Sequence, residues 1–140
     1  MSLVPTRGLL AILAVLDIAL NATERPLSAK SLATRYNLAP RYLEPMLQML
    51  VHVGILKGIR GPHGGYRLGR PPSSLTVAEI LQAALADNND PYPPLKRNPV
   101  VARVILPSLD LAERMMSDTL KSITIEALAN RAAALKVAGE

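Results

Sequence analysis

The stretch from residue 40 to residue 70 decides the fold, and it has the sequence PRYLEPMLQMLVHVG (40–54), ILKGIR (55–60), GPHGG (61–65) and YRLGR (66–70). In the first part, leucine recurs every three or four residues, which predicts a helix with one apolar face. Pro40 suits the first position of that helix, and Gly54 suits the left-handed residue that ends it. The remaining parts predict two short strands joined by a turn rich in Gly and Pro. A helix followed by a β-hairpin is therefore expected.

Two further helices are predicted before this stretch. The first begins at Thr6, which is expected to cap it, and ends near Leu20. The second covers residues 29–36 and is capped by Ser28, and residues 37–39 then form a tight turn. The order helix, helix, tight turn, helix, hairpin is that of a winged helix-turn-helix domain. In such a domain the third helix enters the major groove of DNA, and the hairpin wing reaches the flanking backbone or minor groove.

The second half of the chain is predicted to be helical apart from one loop. Thr76-x-x-Glu79 is a capping box for a helix of about ten residues. A long helix is predicted to start at Pro99, and Pro107 within it is expected to kink it or break it in two. Thr124 is predicted to cap a short final helix. The predicted fold is mainly α, with a winged helix-turn-helix domain (1–86), a proline-rich loop (87–98), and the long helix with a short C-terminal helix (99–140).

The composition supports a helical fold and excludes thiol chemistry. The chain has 140 residues, enough for one domain, and its 24 Leu and 19 Ala stand against four aromatic residues, all Tyr. It has no cysteine, which excludes disulfides, thiolate nucleophiles, Cys-ligated zinc and all-Cys iron–sulfur ligation by this chain. The most apolar run, residues 9–20, is too short to span a bilayer and contains Asp17. We therefore expect no membrane association and a cytoplasmic location.

Positive charge is concentrated in the first half of the chain. Through Leu75 there are nine Lys or Arg and three acidic residues, a balance of +6, whereas from Thr76 onward the balance is −1. A one-sided basic surface suggests an anionic partner, most often nucleic acid. Here the basic half coincides with the predicted winged helix-turn-helix unit, which favours double-stranded DNA as the partner.

Several stretches resemble the Rrf2 family of bacterial winged helix-turn-helix transcription regulators, whose members include IscR and NsrR. The main similarity lies in Arg41-Tyr-Leu-Glu-Pro-Met-Leu, Gly54-Ile-Leu-Lys and Arg60-Gly-Pro-His-Gly-Gly-Tyr-Arg-Leu. Weaker similarity covers Arg7-Gly-Leu, Leu16-Asp-Ile-Ala-Leu, Leu75-Thr-Val-Ala-Glu-Ile and Ile123-Thr-Ile-Glu-Ala-Leu-Ala. The resemblance therefore extends over nearly the whole chain.

This resemblance implies a homodimer and raises the question of a cofactor. In the family, the first helix and the long late helix build the dimer interface, and the two recognition helices meet successive major grooves of a palindromic site. Many members hold an iron–sulfur cluster through three cysteines between the fourth helix and the long helix. The same interval here, residues 87–98, contains no cysteine, so a cluster held in that way is excluded and no cofactor is expected.

Polar residues of the third helix are predicted to contact bases. Arg41 suits guanine O6 and N7, Gln48 suits adenine N6 and N7, and Glu44 can accept a hydrogen bond from cytosine N4. The alternative for Arg41 and Gln48 is a solvated helix face, and the alternative for Glu44 is an ion pair with Arg41 or Arg60. Tyr42 is expected either to bond a phosphate or to pack under the wing.

Further DNA contacts are predicted in the wing and at the helix starts. Arg60 closes the first wing strand, where its guanidinium suits the minor groove, and His63 can meet the backbone as a neutral donor. Gly64 and Gly65 are expected to let the wing tip approach the duplex closely, and Tyr66 belongs to the same contact set. Hydroxyls, N–H groups and the helix dipole at the helix starts suit phosphate. Those residues are Thr6, Arg7, Ser28, Lys30 and Ser31.

No enzyme and no metal site are predicted. The sequence has no Gly-rich phosphate loop of the required length and no Ser/His/acid set with a local signature. His52 and His63 lack a third ligand at useful spacing.

The function predicted from the sequence is a DNA-binding transcriptional regulator, without an iron–sulfur cluster, that represses by steric block as a homodimer on a palindromic operator. Two alternatives stay open. One is a winged-helix module that acts on a partner protein. The other is a DNA-binding regulator switched by a small-molecule effector, which the loop at 87–98 and Pro107 suggest.

Overall fold

Six helices and one β-hairpin make up the described part of the chain, which is residues 3–86 and 91–137 of a computed structural model. The helices are α1 (Thr6–Asn21), α2 (Ala29–Tyr36), α3 (Pro40–His52), α4 (Val77–Ala84), α5 (Leu106–Lys121) and α6 (Ile125–Val137). The hairpin consists of β1 (Leu56–Ile59) and β2 (Gly65–Leu68). A short 3₁₀ turn (Pro72–Ser74) follows the hairpin, and a π-helical segment (Val101–Ile105) precedes α5. The mainly helical prediction with a two-stranded wing is confirmed.

Local signals for the beginning and end of the central helices are confirmed. The Ser28 hydroxyl accepts a hydrogen bond from Ser31 N at 3.0 Å, and Asn37 takes the left-handed conformation (φ 56°) that ends α2. Gly54, with φ 83°, follows α3 and starts the wing. In the capping box of α4, the Thr76 side chain accepts from Glu79 N and the Glu79 side chain accepts from Thr76 N.

The start of α1 differs from the prediction. Thr6 is the first helical residue rather than the cap, because Pro5 is extended (φ −63°, ψ 156°) and takes the capping position without a side-chain bond. The Pro5 carbonyl accepts from Gly8 N at 2.9 Å and from Leu9 N at 3.1 Å. The first helical hydrogen bonds of α1 are therefore made by Pro5 and not by Thr6. The hydroxyl of Thr6 is therefore not used for capping and lies on the exposed surface.

The hairpin is antiparallel and shorter than predicted. Leu56 pairs with Leu68 and Ile59 with Gly65, so each strand has four residues. Ile55 is excluded from the ladder because its N–H bonds Leu50 O at 2.9 Å, across the end of α3. That bond fixes the hairpin directly against α3.

The core joins the first four helices and β1 to the last helix. Ala11, Ala14 and Val15 of α1 are fully buried, as are Leu43, Leu47 and Leu50 of α3. Ile125 of α6 lies in the same core, held by hydrogen bonds from Ile125 N to Leu75 O at 2.8 Å and from Val77 N to Ile123 O at 2.9 Å. The Thr124 cap is confirmed by Ala127 N, which donates to Thr124 Oγ1 at 3.1 Å, but α6 is longer than the predicted short helix.

The long helix passes Pro107 without a break. Helical backbone continues from residue 99 to residue 121, with Asn98 Oδ1 capping its start by accepting from Val100 N and Val101 N. Proline has no N–H for an α-helical bond, and the helix accommodates it with a change to π-helical hydrogen bonding over Val101–Ile105, directly before Pro107. Of the predicted loop, residues 91–98 are irregular and exposed, and residues 87–90 lie outside the described part of the chain.

A tyrosine–carboxylate contact ties α1 to α2. Tyr36 OH donates to Asp17 Oδ2 at 2.5 Å, and the Arg35 guanidinium lies 3.6 Å from Asp17 Oδ1. Burial, together with the hydrogen bond to Asp17 and its charge, raises the pKa of Tyr36 well above its ordinary value of 10.0. The neutral phenol is therefore the form that the folded state favours.

The raised pKa of Tyr36 predicts an alkaline loss of stability. A group whose pKa is higher in the folded state stabilises the fold fully below the unfolded pKa of 10.0, and this contribution is lost as the pH rises above it. We expect the free energy of unfolding to fall with pH above 10.0, and less steeply in Tyr36→Phe. Urea titrations followed by circular dichroism measure this, with Tyr42→Phe as the exposed control. Equal slopes in all three proteins would contradict the prediction.

Candidate nucleic-acid interface

The buried face of α3 determines which of its side chains reach the surface. Leu43, Leu47 and Leu50 are completely buried, so the opposite face of the helix is exposed. Glu44 and Gln48 lie on that face, four residues apart and therefore neighbours on the helix surface. Helix α3 thus presents a polar surface, as the sequence predicts.

The wing is fixed against the connector that precedes α2. Leu27 N donates to Tyr66 O at 3.1 Å and Tyr66 N donates to Leu27 O at 2.7 Å, which makes an isolated antiparallel bridge. Beside it, Arg67 Nη2 donates to the Glu24 carbonyl at 2.8 Å. The hairpin is therefore attached at both its beginning and its second strand, and its position relative to α3 is defined.

Two wing glycines are required by the protein's own backbone. A Cβ on Gly65 would lie 2.5 Å from the carbonyl carbon and oxygen of Leu27, and a Cβ on Gly64 would lie 2.2 Å from the Ile59 carbonyl oxygen. The sequence suggested that these glycines serve a close approach to the duplex. The structure gives them a role in the packing of the wing and of the connector that precedes α2.

We expect Gly65→Ala to destabilise the protein by about 2 kcal/mol, because the new methyl group meets backbone that cannot rotate away. The melting temperature should fall by about 8 °C. Gly58→Ala is the matched control, since a Cβ there meets no atom within 4 Å. Calorimetry of both variants measures the difference in melting temperature. Equal melting temperatures would show that the close contact with Leu27 does not determine the stability of the variant.

A cleft of about 730 Å³ lies between α3, the wing and the start of α2. It brings together predicted residues from three separate parts of the sequence. Those residues are Ser28, Glu44, Gln48, Arg60, Gly64 and Tyr66. Gly58 and Ala29 also line it, although neither was predicted.

Inside this cleft, Tyr66 lies between two residues of α3. Gln48 Nε2 donates to Tyr66 OH at 3.4 Å. Burial and the negative charge of Glu44 raise the pKa of Tyr66, and the hydrogen bond from Gln48 partly opposes them. Among the described residues Glu44 has no ion-pair partner, so its predicted alternative, a pair with Arg41 or Arg60, is not formed. The carboxylate is available in the cleft as a hydrogen-bond acceptor.

A second, smaller cleft of about 390 Å³ lies on the other side of α3, toward α1. Thr6, Arg7 and Tyr42 line it together. Arg41 stacks over the Tyr42 ring at 5.0 Å from its centroid and donates to the Tyr42 hydroxyl at 3.3 Å. The suggestion that Tyr42 packs under the wing is wrong, because its side chain lies beside α1 and is 58% exposed.

The remaining predicted residues line neither cleft. Lys30 and Ser31 are exposed in the first turn of α2, and His63 is exposed in the wing turn. Arg41 is exposed near the start of α3. The predicted contact set therefore lies on five features: the two clefts, the start of α2, the start of α3 and the wing turn.

Three arginines of the basic half have internal roles. Arg70 pairs with Glu79 in the capping box, Arg35 lies beside Asp17, and Arg67 holds the connector. In contrast, Lys57 is exposed on the wing strand and Arg25 is exposed on the connector. These two cations were not among the predicted contacts, although the alternation of buried Leu56 with Lys57 in β1 was a signal for the outward side chain.

Comparison with known proteins identifies relatives over most of the chain. A family profile described as Rrf2, iron-dependent transcriptional regulator, matches residues 4–131. The chain is 33% identical over 138 residues to the HTH-type transcriptional regulator IscR of Photorhabdus laumondii, covering 96% of this chain and 83% of the relative. Among solved structures, it is similar to T. potens IscR (TM-score 0.73, 28% identity, 92% of this chain and 87% of that one). It is also similar to CymR, the global cysteine regulator of B. subtilis (TM-score 0.69, 28% identity, 94% and 98%).

Other relatives match little more than half of the chain. A relative from Haemophilus influenzae, named as an HTH-type transcriptional regulator, is 41% identical over 78 residues, which are 56% of this chain and 52% of the relative. For the first such relatives, the chain thus spans about half of their length.

The description iron-dependent raises the question of whether this chain fits an iron site. It has no cysteine, so it offers no thiolate for an iron–sulfur cluster. Within residues 3–86 and 91–137, no three His, Asp or Glu side chains come together as metal ligands. The residues present do not fit a cluster.

Among the described helices, none is both long and apolar enough to cross a membrane.

Proposed function

Because the chain belongs to the Rrf2 family of transcriptional regulators, we propose that it is a sequence-specific DNA-binding regulator that represses transcription by occupying its operator. The observation that carries this proposal is the cleft between α3 and the wing, where Glu44, Gln48 and Arg60 converge on one exposed surface. Side chains of these types are the ones that recognise base edges and phosphates.

In the proposed complex, α3 enters the major groove with Arg41, Glu44 and Gln48 toward the bases. Arg60 and His63 of the wing meet the minor groove or backbone beside it. Phosphates on either side are held by the helix starts, where N–H groups and the helix dipole favour anions. Those groups are Thr6, Arg7 and Tyr42 in the smaller cleft, and Ser28, Lys30 and Ser31 at α2.

We propose that the active form is a homodimer on a palindromic site in the cytoplasm. The support is the exposed apolar surface of the long helix, where Ile105, Leu109 and Met115 are 45%, 49% and 61% exposed. Within the described residues, no side chain of α5 is buried. Apolar side chains at this density on one helix favour a partner surface. The proposed regulator works without an iron–sulfur cluster, since the chain has no cysteine, so its signal has another chemical source.

The experiment that tests DNA binding is selection of bound duplexes from a random pool, followed by salt titration on the enriched duplex. We expect an enriched palindrome and an affinity that falls steeply with salt, by about 0.9 in log K per decade of salt for each phosphate neutralised. No enriched sequence, or binding that salt does not weaken, would refute the proposal.

A second candidate is that a small molecule switches this regulator. The observation in its favour is an apolar groove of about 780 Å³ between α4 and α5, lined by Leu81, Leu85, Met116 and Leu120 among others. A thermal-shift screen against apolar metabolites tests it. A ligand that raises the melting temperature and changes operator affinity would support this candidate, and a screen without shifts would count against it.

A further inference from the structure

The two faces of the wing hairpin carry different side chains. Tyr66 lies in the cleft beside α3, and its cross-strand partner is Gly58. Successive side chains of a strand point to opposite faces of a sheet, and cross-strand partners share a face. Arg67 and its cross-strand partner Lys57 therefore lie on the hairpin face that is turned away from α3. The Lys57 side chain is exposed there.

Arg67 brings a third cation beside this face. Its Nη2 donates to the Glu24 carbonyl oxygen at 2.8 Å, so the connector that precedes α2 passes next to the hairpin. Arg25 directly follows the residue that Arg67 holds, and it is exposed. We refer to Arg25, Lys57 and Arg67 together as the outer wing surface.

Two cations of the outer wing surface are unpaired. Arg67 is engaged with the connector, whereas the side chains of Lys57 and Arg25 form no ion pair or hydrogen bond with any described residue. Glu24, the acidic residue of the connector, likewise has no ion-pair partner among the described residues. Three cations beside one acid leave an excess of positive charge on an exposed surface, and such a surface favours an anionic partner.

The proposed DNA complex brings a duplex to this surface. With α3 in the major groove and Arg60 at the neighbouring minor groove or backbone, the wing lies along the duplex beside α3. The hairpin face that is turned away from α3 then looks along the duplex, toward the phosphates that follow the wing. Phosphates continue there whatever the base sequence, and lysine and arginine are the side chains that most often neutralise them.

We propose that the outer wing surface binds the phosphate backbone beyond the wing through Arg25 and Lys57, so that the protein contacts DNA outside the stretch whose bases it reads. Arg67 positions Arg25 by holding the connector. The contact adds affinity without sequence preference, because phosphates carry no direct information about the bases. This inference rests on the proposed DNA binding.

The test uses the duplex selected by the wild type, with uncharged methylphosphonate in place of phosphate over about ten base pairs outside each wing. We expect the uncharged flanks to lower the wild-type affinity by at least about tenfold, since a dimer loses four phosphate contacts. The plot of log K against log salt should become shallower by about three to four units. Fluorescence anisotropy over a series of salt concentrations measures both quantities.

Two double variants separate this contact from general electrostatics. In Arg25→Ala with Lys57→Ala, the contact is already lost, so the uncharged flanks should cost no more than about twofold in affinity. Arg97→Ala with Arg131→Ala removes the same charge from exposed positions outside both clefts, and should lose as much affinity as the wild type does. Equal losses in all three proteins would mean that the flanks act at long range on net charge, which would overturn the inference.

The base sequence of the flanks gives a second readout. Exchanging the flanking base pairs, with all phosphates kept, should change the wild-type affinity by no more than about twofold. A larger change that Arg25→Ala with Lys57→Ala abolishes would show that these residues read bases, and would contradict a contact made to phosphate alone.

Failure of this inference and failure of the proposed function give different results. A wild type that selects a duplex but binds it equally well with charged and uncharged flanks would overturn the role of the outer wing surface and leave DNA binding intact. Absence of any selected duplex for the wild type would overturn both.

Discussion

Replacing both Arg41 and Arg60 by alanine should lower the affinity for the selected duplex by at least about three orders of magnitude. Each arginine contact with a base or phosphate contributes about 1–3 kcal/mol, and a dimer loses four of them. Arg41 is exposed near the start of α3, and Arg60 lines the cleft at the wing, so neither side chain supports the core. The fold should therefore survive the change.

The salt dependence gives a second measurement of the same variant. Loss of phosphate contacts should make the plot of log K against log salt shallower by about two to three units, by fluorescence anisotropy over a series of salt concentrations. Arg97→Ala with Arg131→Ala is the matched control, because it removes the same charge from exposed positions outside both clefts. Similar losses in the two double variants would mean that net charge, rather than this surface, binds DNA.

The same variant also tests the alternative of a protein-interaction module. If Arg41 and Arg60 served a protein partner, their replacement would abolish that contact and leave DNA binding as it was. Unchanged affinity and salt slope for DNA would therefore favour a protein partner over the proposed regulator.

Replacing Ile105 and Leu109 by glutamate should convert the proposed dimer to single chains. The two side chains lie four residues apart on the long helix and are about half exposed in one protomer, so charge there opposes association while the protomer stays folded. Light scattering should give the chain mass of 15.0 kDa for the variant and twice that for the wild type. Affinity for the palindrome should fall by at least about 100-fold, since each chain then binds one half-site.

The control for this variant adds the same charge elsewhere. Ala133→Glu with Ala134→Glu places two carboxylates on exposed positions of α6 and should leave both mass and affinity unchanged. A wild type of single-chain mass at micromolar concentration would refute the homodimer. A variant that stays dimeric would move the interface away from this face of the helix.

The order of elements was predictable because each signal is local. Ser28, Asn37, Gly54 and Thr76 act within one turn of their own backbone, so sequence spacing predicts their positions well. Thr6 was misplaced because a cap at Pro5 and a cap at Thr6 are equally compatible with the local sequence. The π-helical turn before Pro107 also escaped prediction, since proline predicts a disturbance but not its form.

The site was predictable in composition but not in its contacts. The polar face of α3 follows from helical spacing, whereas the bond from Gln48 to Tyr66 and that from Arg67 to Glu24 depend on how the wing is placed. Gly64 and Gly65 illustrate the same limit. The sequence indicates that something passes close to them, and the structure adds that the backbone carbonyls of Ile59 and Leu27 do so.

The buried position of Ile125 has a consequence for how the protein is made. The start of α6 is held by backbone hydrogen bonds to Leu75 and Val77, which are synthesised some fifty residues earlier. The whole long helix lies between these residues and Ile125 in the sequence. On the ribosome, the core that supports the recognition helix therefore stays incomplete until the long helix has emerged. A nascent chain therefore gains the segment through which we propose it pairs before it gains a finished DNA-binding surface.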